Sequence, residues 1–137
     1  MSRKRKAVII KRSNDGKRCI AIDVECADGI RSYINQDKRH RKKFDFICRI
    51  ILLGLRNTEL YDKEEPDDES KGIRAMKFFK GQENDRIYCK EITLEDKTFV
   101  VIASELHEKK KSRKLTHKEI SIIHRVAGYD YEEFYDY

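Results

Sequence analysis

Residues 73–120 limit the possible folds more than any other part of this chain. Three β-prone segments, IRAMKFF, DRIYCKEI and KTFVVIASELH, are separated only by KGQEND and TLEDK. Connections this short join neighbouring strands as antiparallel hairpins. A meander over residues 73–79, 86–92 and 98–107 is therefore expected. Phe99 to Ala103 is apolar without alternation, the pattern of a central strand covered on both faces. A basic cluster follows: Lys109, Lys110, Lys111, Arg113 and Lys114 around Ser112. Thr116 and Glu119 then have the spacing of a capping box. It opens a helix with Ile120, Ile123 and Ala127 on its core face, ending near Gly128.

Upstream, Ala7 to Ile10 and the run CIAIDVECA flank Ser13-Asn14-Asp15-Gly16, a hairpin signal. Asp28-Gly29 marks a second turn. Residues 30–34 fit either a short strand or the approach to the next helix. Residues 37–55 read as that helix, because Phe44, Ile47, Cys48, Ile51, Leu52 and Leu55 fall on one face. Asp37 suits its N-cap and Gly54 its end. Its first two turns carry KRHRKK and are expected to be wet. Residues 58–72 form an acidic loop with the single proline, Pro66, and their charge points to mobility. Residues 129–137, YDYEEFYDY, are an acidic aromatic tail.

These elements compose one α+β domain over residues 1–137. The expected architecture is an N-terminal β-hairpin beside a small antiparallel sheet. Both helices would pack on one face and leave the other open. A chain of 137 residues can bury a core of its own. No run of about 18 apolar residues is present, which argues against a membrane span. MSRKRK is basic, but AVII is too short for a signal-peptide core, so a cytoplasmic location is expected. Cys19, Cys26, Cys48 and Cys89 show neither Cys-x-x-Cys nor zinc-ligand spacing. They read as reduced core residues, and neither a metal nor a cofactor is expected.

The net charge of +6 conceals segregation. Residues 62–69 (DKEEPDDE) hold six acids and one lysine, and residues 119–137 hold five acids against Arg125. The rest of the chain is thus strongly cationic, which favours a polyanionic partner. No phosphate-binding glycine loop, G-x-S-x-G, H-E-x-x-H or dinucleotide fingerprint occurs. Period-two alternation lets Lys77 or Arg74 join Arg86 and Tyr88 on one sheet surface beside the lysine cluster. Cations with a tyrosine suit RNA, with charge for phosphates and a ring for bases. Taken singly, each of these residues is equally an ordinary exposed strand residue.

The same stretch resembles the C-terminal half of RelE/HigB-type toxins, especially their phage-derived branch. Met76-Lys77 stands where that family has Leu-Arg, and Asp85-Arg86 where it has Tyr-Arg. Leu106-His107 with Lys109, Lys110 and Lys111 stands for its Phe-x-Lys-Lys. Leu115-Thr116-His117-Lys118-Glu119-Ile120 stands for its Thr-Pro-x-x-Glu-Ile helix start. Lysine replaces arginine at 77, Asp85 replaces the tyrosine, and Thr116 replaces the proline. The resemblance implies a RelE-like fold and a ribosome-dependent mRNA endoribonuclease, one half of a toxin–antitoxin system. A ribose 2′-hydroxyl would attack the adjacent phosphate without a metal, and a small antitoxin protein would neutralise the enzyme. Carried over, Arg86 and Lys77 would stabilise the phosphate, and Lys109, Lys110 and Lys111 would hold RNA. His107 would move protons, although it also fits a core or capping role. Arg74, Tyr88, Arg113 and Lys114 complete the expected RNA-binding set. His117 and His124 share a helix face and read as packing or surface residues. Two other readings remain: a non-catalytic RNA- or ribosome-binding module, and a protein-interaction domain using the acidic tail.

Overall fold

A computed structural model describes residues 4–79, 84–108 and 116–136. In chain order they form β1 (Lys4–Arg12), β2 (Arg18–Asp23), α1 (Ala27–Ile34), α2 (Lys38–Leu52), β3 (Tyr61–Lys63), β4 (Ile73–Phe78), β5 (Asp85–Thr93), β6 (Phe99–His107), α3 (His117–Ala127) and β7 (Asp130–Asp136). Short 3-10 turns occupy Val24–Cys26 and Asp68–Ser70. The strands make one sheet in the order β3-β4-β5-β6-β2-β1-β7.

The sheet grows outward from β6, whose residues Val100 to Ser104 are all fully buried. On one edge β6 pairs antiparallel with β5; on the other it pairs parallel with β2, from Arg18↔Phe99 to Ile22↔Ala103. Successive residues of β6 serve opposite faces. Val101 and Ala103 join Ile20, Ile22, Phe44, Ile47 and Ile51 beneath α1 and α2. Val100 and Ile102 join Ala7, Ile9, Cys19 and Ala21 on the other side. Farther along that second side, Ile122, Ile123 and Val126 of α3 pack on Ile73, Ala75 and Tyr88.

The expected small antiparallel sheet with one open face is therefore corrected. The sheet has seven strands and is mixed, with α1 and α2 on one face and α3 on the other. The acidic aromatic tail 129–137 contributes a strand, since β7 runs parallel to β1, from Lys4↔Asp130 to Ile9↔Asp136. Opposite charges line that pairing, with Lys4 on Asp130, Lys6 4.0 Å from Glu133 and Arg12 2.6 Å from Asp136. The acidic loop is anchored too. β3 pairs with β4, and Asp67 and Ser70 form a capping box around the second 3-10 turn. Asp28-Gly29 lies inside α1 rather than at a turn, which settles residues 30–34 as helix. Asp23 is the reason: its carboxylate accepts from the Glu25 and Cys26 amides and turns the chain directly from β2 into helix.

Local signals at other boundaries act as expected. Gly16 sits at φ +73° in the β1–β2 turn. Asp37 caps α2 by accepting from the His40 amide at 2.8 Å. Gly54 at φ +69° follows α2, and the Leu55 amide reaches back to the Ile50 carbonyl at 3.0 Å. Thr116 and Glu119 form the reciprocal cap of α3. No helix among the described residues is long and apolar enough to cross a membrane.

Asp23 is also the polar tie of the far end of the sheet. Fully buried, it accepts from Arg5 Nε and from the Tyr131 hydroxyl, each at 2.7 Å. The Arg5 guanidinium lies 3.7 Å from the Tyr129 ring centroid. Asp23→Ala would strand a buried guanidinium and is expected to cost about 3–5 kcal/mol in denaturant unfolding. The exposed Arg12–Asp136 pair, removed by Asp136→Asn, should cost less than about 1 kcal/mol. Equal losses in the two variants would refute this division.

Candidate functional site

Strand register brings three of the expected site residues together. Lys77 of β4 stands opposite Arg86 of β5, and Arg86 stands opposite His107 of β6. Opposed residues of antiparallel strands share a face, about 4.5–5.5 Å apart. Lys77, Arg86 and His107 thus form one row across the end of the sheet, on the α3 side. Direct opposition of two cations is unfavourable in a sheet, so this row needs counter-charge.

The acidic segment supplies it. Asp62 comes within 3.9 Å of the Lys77 ammonium, and Glu64 within 3.9 Å of Arg86 Nε. Arg86 is 6% exposed. Its Nη1 donates to the Asn84 and Asp85 carbonyls at 3.2 and 3.4 Å, while its buried Nε makes no hydrogen bond among the described residues. The guanidinium is thus charge-compensated but under-bonded, and an oxyanion nearer than Glu64 would complete its fork. The same segment is fastened at two further points. Glu65 accepts from Arg74 at 2.6 Å, and His124 contacts Asp67 at 2.7 Å and Glu69 at 3.6 Å. The Arg74 hydrogen bond holds the Glu65 carboxyl below its ordinary range, and that of His124 does the same for Asp67.

Other expected members lie elsewhere. Arg74 projects to the α2 side of β4 and pairs with Glu65 and Glu91. Tyr88 shares the face of Arg86 but lies fully buried under α3, where its hydroxyl donates to Glu119 at 3.4 Å. Burial pushes that phenol upward, and its ring is not presented to a base. Lys109, Lys110, Lys111, Arg113 and Lys114 fall outside the described residues. The chain that carries them leaves from His107, in the row, and returns at the Thr116 cap of α3.

Glu64 and Glu119 are the site residues that sequence reasoning missed. Glu119 was visible only as a helix cap, yet it is 1% exposed and bonded to Tyr88. Glu64 was one acid among six, and only the β3–β4 pairing singles it out. Glu64 and His107 lie beside Arg86 and are of the residue types that act as proton acceptor and donor. Thiol chemistry does not suit the site. Burial raises all four cysteines, Cys26 to about 11, and none is a ready thiolate. No group of three or more potential metal-ligating side chains is found among the described residues.

Glu64→Gln removes the carboxylate facing a buried guanidinium. It is expected to lower unfolding stability by about 1–3 kcal/mol, and added inorganic phosphate should restore part of the loss in a thermal melt. A variant as stable as the parent, with no response to phosphate, would refute the pairing. Lowering the pH through and below the ordinary carboxylate range should also loosen the segment. The folded-state values of Glu65 and Asp67 are depressed, so their contribution is present above that range and lost as they protonate. Amide exchange at Glu64, which donates to Ile73 at 3.0 Å, reads this directly.

No protein-family model matches the chain, no curated protein matches it, and no solved structure matches it.

Proposed function

We propose that the protein is an RNA-cleaving toxin of the RelE/HigB kind, acting on ribosome-bound message through the row Lys77–Arg86–His107. The observation that carries this reading is the convergence of those three side chains. They come from three successive strands and stand side by side with an under-bonded, buried arginine at the centre. Structural ion pairs are normally better satisfied than this one.

In this reading a phosphate of the message displaces Glu64 from Arg86 and takes the fork of its guanidinium. Lys77 adds a point charge, and both cations bear on the oxygens where negative charge develops. The ribose 2′-oxygen forms a bond to phosphorus as the bond from phosphorus to the 5′-oxygen breaks. Glu64 receives the 2′-hydroxyl proton, and protonated His107 supplies one to the departing 5′-oxygen. The products are a 2′,3′-cyclic phosphate and a 5′-hydroxyl. The ribosome is the partner that would hold the strand in line for attack, and a small antitoxin protein would cover the row.

A non-catalytic RNA-binding module is the second reading. It is favoured by the carboxylates already seated on Lys77 and Arg86. Induced expression in bacteria separates the two. Cleavage predicts growth arrest with shortened transcripts ending in cyclic phosphate. Arg86→Gln should reduce cutting by about 100-fold or more, while Lys77→Arg, with a bidentate donor, should increase it. Intact transcripts under the wild-type protein would remove the enzymatic reading.

A further inference from the structure

Several cations of the described residues already face acids. Lys4, Lys6 and Arg12 face β7, Lys11 faces Asp45, and Arg125 faces Glu105. Helix α2 is different. Its outer surface carries Lys38, Arg39, Arg41, Lys42 and Arg49, all exposed, with Lys43 half-buried. The one acid there, Asp45, is engaged by Lys11 at 3.3 Å. No hydrogen bond or ion pair holds the side chain of Lys38, Lys42 or Arg49 among the described residues.

Two features are unfavourable for the free protein. Lys38, Arg39 and Arg41 crowd the first turns of α2, where the N-cap Asp37 is the one acid, although that end of the helix dipole is positive and favours anions. Phe46, in the middle of the basic stripe, is 49% exposed. Arg39, Lys42, Lys43, Phe46 and Phe79 line a shallow groove of about 460 Å³. Exposed residues such as Lys38 and Phe46, which cost stability without packing in return, are often kept for a ligand.

The stripe also adjoins the candidate site. Phe79 follows β4 at φ +51°, two residues after Lys77. The Arg39 guanidinium lies 3.5 Å from its ring centroid, and His40 meets it edge-on at 4.9 Å. The wet half of α2 therefore sits at the end of the sheet where the row Lys77–Arg86–His107 lies, on the opposite face. Lys38 to Arg49 covers about 16 Å along the helix axis.

We infer that the outer face of α2 is a second RNA-contact surface, which takes single-stranded RNA continuing from the row around the edge at Phe79. Lys38, Lys42 and Arg49 hold phosphates, and Phe46 stacks on an unpaired base. Single-stranded RNA fits better than an acidic protein, because a lone exposed ring among evenly spaced cations gives charge plus stacking. A duplex would leave Phe46 without a base to stack on. The inference deepens the proposed function and rests on it for the identity of the ligand.

The test uses the full chain and a labelled 2′-O-methyl oligouridine of about 12 nucleotides, which cannot be cleaved by 2′-hydroxyl attack. Lys42→Glu combined with Arg49→Glu should weaken binding at least tenfold and flatten the log–log salt slope by about 1.4, the value for two lost single-strand phosphate contacts. Phe46→Ala should weaken binding about 5- to 100-fold and leave the salt slope unchanged. Lys38→Glu should weaken RNA binding while raising the melting temperature by a few degrees, because an acid then replaces a cation at the positive end of the helix dipole. Parental affinity and slope in all three variants would overturn the inference. So would duplex RNA binding as tightly as the single strand, or poly-glutamate competing as well as RNA. Binding through α2 by a protein that cleaves no RNA would sustain this surface and remove only the enzymatic reading.

Discussion

A strand that is apolar on both faces cannot lie at an edge or under a single layer. Val100, Val101, Ile102 and Ala103 of β6 are all removed from solvent. Each exposed methylene would forfeit about 0.8 kcal/mol, so both faces must be covered and both edges paired. β2 fills the free edge in parallel, which requires a crossover, and α1 and α2 provide it over one face. The other face is closed by α3 above β4 and β5, and by Tyr131 and Phe134 nearer β1. Once both faces are covered, functional cations can collect only at the end of the sheet and on the outer surfaces of helices.

Charge is distributed to suit that enclosure. The acidic tail matches the cations of β1 at one edge of the sheet, and the acidic segment around Glu64 matches those of β4 and β5 at the other. These two acidic tracts lie differently with respect to the row. The tail is sequestered on β1, remote in the strand order from the row, and its contacts are structural. The segment at 62–69 lies on the row itself, so a phosphate approaching Arg86 meets a competing carboxylate already in place. Among the described residues neither tract contacts Lys38, Lys42 or Arg49, so the outer face of α2 stays positive.

Much of this was legible from the chain. The three strands of the meander, the Asp37 cap, the Thr116–Glu119 box and the turn at Gly16 are short-range features whose chemistry lies within a few residues. The row was legible in part: period-two alternation put Lys77 and Arg86 on candidate faces, while their opposition depended on the register of the pairing. The open face was misjudged although β6 itself argued against it, since a doubly apolar strand demands two covers. α1 was missed because Asp28-Gly29 imitates a turn, and Asp23, which starts the helix, lies outside that dipeptide.

Sequence by itself determined the three strands of the meander, where helices α2 and α3 begin, and which residue types were available to hold a polyanion. These depend on backbone preference, capping and periodicity, which act over one or two turns of chain. Tertiary structure alone decided that β2 lies beside β6, that the tail becomes a strand, that Glu64 faces Arg86 and that Tyr88 is entombed. Those outcomes arise from pairings between residues dozens of positions apart. Their energies come from burying surfaces against each other, and no local pattern encodes which surfaces will meet.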